Sequence, residues 1–164
     1  MGYTHYWVYS PDKAGTNNAR KNFKKVSALV AEAYTTIKRK PDSHSGQHGN
    51  AYADKDCIIC GGFGEEKPII NESEIWFNGE AASDTDHETF HLMWWSSTGC
   101  DNSFCKTARK PYDLLVCFTL MALDCCFADA EVFRYSSDGD EHDWHHARRF
   151  FKEVACIDPG SFNI

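Results

Sequence analysis

Pro111-Tyr112-Asp113-Leu114-Leu115-Val116-Cys117-Phe118-Thr119-Leu120-Met121-Ala122-Leu123-Asp124-Cys125-Cys126-Phe127 is the stretch on which the fold turns. Pro111 stands at a first-turn position with Asp113 close behind, which marks a helix start, and Leu114 to Phe127 is apolar on almost every side. A helix without a polar face is a buried helix. Upstream, Phe23, Val26, Leu29, Val30, Ala33, Tyr34 and Ile37 recur at three- and four-residue spacing between Asn18 and Lys38, so that segment is an amphipathic helix. Its Arg20, Lys21, Lys24 and Lys25 crowd the first turns, where the helix dipole disfavours positive charge; they read as a weak anion-facing patch or as a solvated face. Downstream, Asp138-Gly139-Asp140-Glu141 has capping-box spacing before a third helix with Trp144, Ala147, Phe150, Phe151 and Val154 on one face.

Strand signals fill the intervals. Thr4-His5-Tyr6-Trp7-Val8-Tyr9 is aromatic and β-branched and stops at Ser10-Pro11. Shorter strands are predicted at Cys57 to Cys60, Glu74 to Phe77, Glu88 to Trp95 and Glu131 to Tyr135, with Asn78-Gly79 favouring a tight hairpin turn. Pro41 to Asn50 is a polar loop, and no linker separates two domains. The expectation is a single α+β domain spanning 1–164, with a mixed or mostly antiparallel sheet flanked by about three helices.

The composition agrees: 164 residues, 42% hydrophobic and 14% aromatic, suffice for one globular core. A formal charge of −7 disfavours a dedicated duplex-DNA binder while leaving room for local basic patches. No run approaches the roughly 20 apolar residues of a membrane span, and Met1 to Tyr9 lacks the basic stretch and apolar core of a secretory signal, so a cytoplasmic protein is expected. Eight cysteines in such a chain are expected to be mostly reduced thiols.

Five constellations carry candidate chemistry. Phe104-Cys105-Lys106-Thr107-Ala108-Arg109-Lys110-Pro111-Tyr112-Asp113 places three cations and a hydroxyl just before the buried helix, where free amides and the dipole favour an anion. Without P-loop glycines, the same charges also suit an ordinary solvated loop. His87-Glu88-Thr89-Phe90-His91 matches the H-E-x-x-H zinc motif, which needs a helix. Its alternation suits a strand instead, and in a strand His87 and His91 stand about 13 Å apart.

Cys57, Cys60, Cys100 and Cys105 are a possible structural zinc set, or else buried small hydrophobes. Cys117, Cys125 and Cys126 belong to the buried helix and read as core thiols, and Cys105 as a nucleophile has no local support. His142, His145 and His146 form a histidine-rich segment suited to a metal or to a solvated helix side. Finally, Tyr3, Tyr6, Trp7, Tyr9, Trp76, Phe77, Trp94 and Trp95 include rings that stack a nucleobase if they line a cleft.

Gly2-Tyr3-Thr4-His5-Tyr6-Trp7, Trp76-Phe77-Asn78-Gly79, Glu88-Thr89-Phe90, the Phe104 to Asp113 segment and Ser137-Asp138-Gly139 with Trp144, Ala147 and Arg148 together resemble small bacteriophage- and prophage-encoded proteins. That resemblance implies a setting, the host-cell cytoplasm and its defences, rather than a mechanism. In such a group Glu88-Thr89-Phe90 is shared in its own right, which weakens the zinc-motif reading.

The reading that follows is a protein binding a phosphate-bearing ligand: a nucleotide, a nucleotide signal or nucleic acid. Lys106, Thr107, Arg109 and Lys110 are expected to hold the phosphate, with Tyr6, Trp7 and Asn78 nearby and Asp138 as a polar contact or helix cap. Sequestering a defence signal is one version. One rival is a zinc hydrolase with His87 and His91 as ligands and Glu88 as base. The other is an inhibitor of a host defence protein whose acidic Asp138 to Asp143 segment mimics nucleic-acid charge.

Overall fold

The computed structural model describes residues 2–39 and 57–158. The order is β1 (Thr4–Tyr9), α1 (Pro11–Ala14), α2 (Thr16–Arg39), β2 (Ile59–Cys60), β3 (Ile69–Ile70), β4 (Glu74–Gly79), β5 (Phe90–Met93), β6 (Asp101–Lys106), α3 (Asp113–Phe127), β7 (Phe133–Ser137) and α4 (Glu141–Ala155). This is the expected α+β class, with the strands divided between two sheets. All strand pairs among them are antiparallel: β1 lies between β6 and β7, while β4 pairs with β2, β3 and β5.

The buried helix is α3, and every residue from Asp113 to Leu123 is shielded from solvent. It packs against α2, α4 and the β6-β1-β7 sheet. Phe118 meets Phe150 and Phe151 of α4 at ring separations of 5.6 and 4.9 Å, and Tyr9 of β1 meets Phe127 at 5.4 Å. Phe90 lies 5.0 Å from Trp7 and 5.1 Å from Phe77, which joins the two sheets into one core. Each such side chain removed from water contributes roughly 1.5–3 kcal/mol, so the aromatic seams rather than local propensity hold the layers together.

Local chemistry shifts several boundaries. β6 was not foreseen, because Asp101-Asn102-Ser103 looks like loop; its ladder with β1, from Tyr9↔Asp101 to Thr4↔Lys106, overrides that composition. The strand expected at Glu131 to Tyr135 sits two residues later, since Val132 and Phe133 close a turn on the Asp129 carbonyl. Asn78-Gly79 does not form a two-residue hairpin. Instead the chain leaves β4 through a short 3₁₀ turn at Ala81–Ser83 and left-handed Asp84 before reaching β5. Gly79 is there for close approach: a Cβ would lie 2.0 Å from the Thr85 carbonyl oxygen.

The capping box of α4 is real but starts two residues later than its spacing suggested. Asp140 accepts the amides of His142 and Asp143, and Asp143 accepts the amide of Asp140. The loop expected at 41–50 lies outside the described residues. Among the described residues no helix is long and apolar enough to cross a membrane.

Candidate functional site

The basic segment before α3 folds into a tight turn. The Lys110 amide donates to the Thr107 carbonyl at 2.9 Å, with Ala108 and Arg109 both left-handed at φ +50° and +57°. Two non-glycine residues in that region cost about 1–2 kcal/mol each, so their surroundings must hold them there. The amides of Thr107 and Ala108 both donate to the Tyr3 carbonyl. Arg109 lies 4.2 Å over the Tyr3 ring and forks onto Asp143 at 3.3 and 3.2 Å.

The amino end of α3 therefore differs from the open anion site expected of it. The amides of Asp113, Leu114 and Leu115 donate to the carbonyls of Lys110, Pro111 and Tyr112, a 3₁₀-type wrap that uses the donors a phosphate would need. The cations do not converge either. Lys110 reaches the Asp84 carbonyl at 2.5 Å, Arg109 faces Asp143, and Lys106 lies along the sheet beside Gly2.

Thr107 points inward, into a buried polar knot. Its hydroxyl donates to Asp113 Oδ1 at 2.5 Å, His5 Nε2 lies 2.6 Å from the same oxygen, and the Cys117 thiol donates to Asp113 Oδ2 at 3.5 Å. Asp113 and Cys117 are one turn apart on α3 and His5 comes from β1, so the knot ties helix to strand. Burial, reinforced by the Asp113 charge, raises the Cys117 pKa well above the ordinary thiol range. Cys57 and Cys105 flank the same helix end and are pushed up to about 12 by burial, so both are unreactive thiols rather than nucleophiles.

Other predicted contacts are structural. Asn78 is buried, donating to the Gly62 and His87 carbonyls and accepting from the Gly79 and His87 amides. Trp7 is core, and Asp138 accepts the Thr4 amide at 3.1 Å.

The zinc motif is not helical: His87 to Thr89 lie in no helix or strand, and β5 begins at Phe90. His91 lies in β5 with Nε2 2.8 Å from Glu74, and Glu88 accepts the Lys106 amide at 2.7 Å. No helix sets His87 and His91 one turn apart, and among the described residues no group of potential metal ligands includes either, so the helical zinc reading fails. The thiols of Cys57, Cys100 and Cys105 engage three separate partners: the Pro111 carbonyl, the Ser10 hydroxyl and the Glu88 carbonyl. Among the described residues, one group of three potential metal ligands does come together: His5, Asp113 and Cys117.

What does face solvent is the outer side of the β6-β1-β7 sheet. The register aligns Phe104, Tyr6 and Ser136 in one row, Asn102, Val8 and Arg134 in the next, and Lys106 beside Thr4 above them. Tyr6 is 43% and Phe104 58% exposed, their rings 6.4 Å apart. Two shallow depressions of about 190 and 310 Å³ meet at Val8 and Arg134 and extend this surface toward Lys13 and Gly99. The strand carrying Phe104, like the short β3, was missed from sequence, and the alternation Asn102, Phe104, Lys106 was the local signal for it. In comparisons with known proteins, no family model, curated protein or solved structure matches this chain.

Proposed function

We propose that the protein binds a phosphate-bearing ligand with an unpaired base, either a nucleotide or a short single strand, on the outer face of the β6-β1-β7 sheet. The observation that carries this reading is the exposed cross-strand pair Tyr6 and Phe104 at the centre of that face. Exposed rings on a sheet offer bases a flat surface, and such stacking is worth roughly 1–3 kcal/mol per base. Lys106 above the pair and Arg134 below it are the cations for flanking phosphates, with Asn102 and Ser136 as hydrogen-bonding groups.

This moves the ligand away from the amino end of α3 while keeping its chemistry. Of the residues expected from sequence, Tyr6 and Lys106 contact it. Arg109 and Lys110 hold the loop, and Thr107, Trp7, Asn78 and Asp138 hold the framework. The likeness to phage-encoded proteins supports a setting in the host cytoplasm, where retaining a nucleotide signal would blunt a defence response.

The test is fluorescence anisotropy with a labelled oligothymidylate, in competition with unlabelled mononucleotides. The reading expects saturable binding weakened about 10-fold or more by Tyr6→Ala or Phe104→Ala. Mononucleotide competition at comparable concentration identifies a nucleotide ligand, and competition by strands alone identifies single-stranded nucleic acid. Binding that is absent, or indifferent to both substitutions, leaves the inhibitor of a host protein as the surviving reading.

A further inference from the structure

The buried knot behind the sheet has the dimensions of a metal site. His5 Nε2, an Asp113 carboxylate oxygen and Cys117 Sγ lie within 4.8 Å of one another, and all three side chains are buried. With zinc bonds of about 2.0–2.3 Å, tetrahedral geometry puts neighbouring donor atoms roughly 3.3–3.6 Å apart. Cys117 Sγ is 3.5 Å from Asp113 Oδ2 and 3.8 Å from His5 Nε2, close to those edges, whereas His5 Nε2 and Asp113 Oδ1 at 2.6 Å are too close to bind one ion together, so Oδ2 is the ligand oxygen.

Two further observations single out this cluster. His5 Nε2 donates its proton to Asp113 Oδ1 at 2.6 Å, while Nδ1 is buried without a hydrogen-bond partner, so the ring proton has a vacant nitrogen to move to when Nε2 presents its lone pair to a metal. Thr107 donates to Asp113 Oδ1, which orients the carboxylate and leaves Oδ2 toward Cys117, the arrangement of an outer-sphere support. The donor set also balances charge: one thiolate, one carboxylate and a neutral imidazole offset a divalent cation.

The geometry points to a structural zinc-type site formed by His5 Nε2, the Asp113 carboxylate and Cys117 Sγ, pinning β1 to the amino half of α3. On loading, the Cys117 thiol proton leaves to solvent, the Nε2 hydrogen bond to Asp113 Oδ1 breaks, and the imidazole proton passes from Nε2 to Nδ1. Because the cluster is sealed from the sheet's outer face, it serves the fold and takes no substrate. It is therefore independent of the ligand proposed for Tyr6 and Phe104.

Full-length protein produced in zinc-supplemented medium is analysed by elemental mass spectrometry, and a second preparation made with cobalt is examined by absorption. The expected result is one metal per chain. The cobalt form should show a near-ultraviolet thiolate-to-metal charge-transfer band. Cys117→Ser should abolish that band, and Cys105→Ser should keep it. Substoichiometric metal in the zinc preparation together with no thiolate band in the wild-type cobalt preparation overturns the site, whether or not either variant folds. A band that persists in folded Cys117→Ser also overturns it, by placing the metal elsewhere.

Discussion

Strand β1 has two sides that do opposite things. Facing inward, His5, Trp7 and Tyr9 are buried among aromatic rings and the Asp113 knot; facing outward, Tyr6 and Val8 meet solvent between Phe104 and Arg134. One strand thus supplies both a buried polar contact of the core and the central ring of the exposed face. The lesson is that residues rich in chemical character do not mark a site by character alone. Thr107, expected at the ligand, holds the fold together with His5 and Asp113, whereas Tyr6 and Phe104 are left in water.

The contrast should break most visibly at Asp113. Asp113→Ala leaves His5, Thr107 and the Cys117 thiol buried without their shared acceptor, and removing one partner from such a buried network costs about 3–5 kcal/mol. Urea unfolding followed by circular dichroism should show a loss of that size, and an unchanged midpoint would mean that the knot does not tie β1 to α3.

Tyr6→Ala with Phe104→Ala should do the reverse. The pair should cost ligand affinity on the order of 1–3 kcal/mol for each stacked base, while each substitution shifts stability by about 0.5 kcal/mol or less. The two effects are read by anisotropy and by the same urea titration. A large stability loss with unaltered binding would reverse the roles assigned to the two faces.

Smaller still is the electrostatic share of binding. Lys106 and Arg134 account for two phosphate contacts at most, so the salt dependence of a single-strand complex should have a logarithmic slope near −1.4, and each alanine substitution should reduce it by about 0.7. A much steeper slope would require cations outside this face.

The smallest effect concerns α4, whose start is clamped to the left-handed turn through Asp143 and Arg109. Amide donation from Asp143 and His142 holds the Asp140 carboxyl below its ordinary value of 3.8. A depressed folded-state pKa means stability that is fully present above the unfolded value and lost as pH falls through the folded one. Melting temperature measured from about pH 5 down to about pH 2 should therefore fall less in Asp140→Asn than in the wild type, since the variant has no such carboxylate to protonate.

Much of the framework was legible because it is periodic. The all-apolar run of α3 and the three-four spacing of α2 reflect burial directly, while β1 was legible from its aromatic and β-branched content, which did not say which of its sides is buried. Legibility ended where tertiary pairing overrides composition. β6 is a strand because β1 supplies its ladder, although Asp101-Asn102-Ser103 has little strand preference of its own. The phosphate site expected at the α3 terminus rested on free amides, and sequence does not show that the chain wraps those amides in its own carbonyls. His5 and Asp113 are 108 positions apart, so their meeting follows from the β1–α3 packing and from no local motif.

The face itself is tested most directly by amide chemical-shift mapping of the isotopically labelled protein during titration with a short single-stranded oligonucleotide. The account predicts perturbations along Thr4 to Val8, Asn102 to Lys106 and Arg134 to Ser136, growing together to saturation. Perturbations confined to Asp84 and the Arg109 to Asp113 turn, or none at any of these strands at saturating strand concentration, would contradict it.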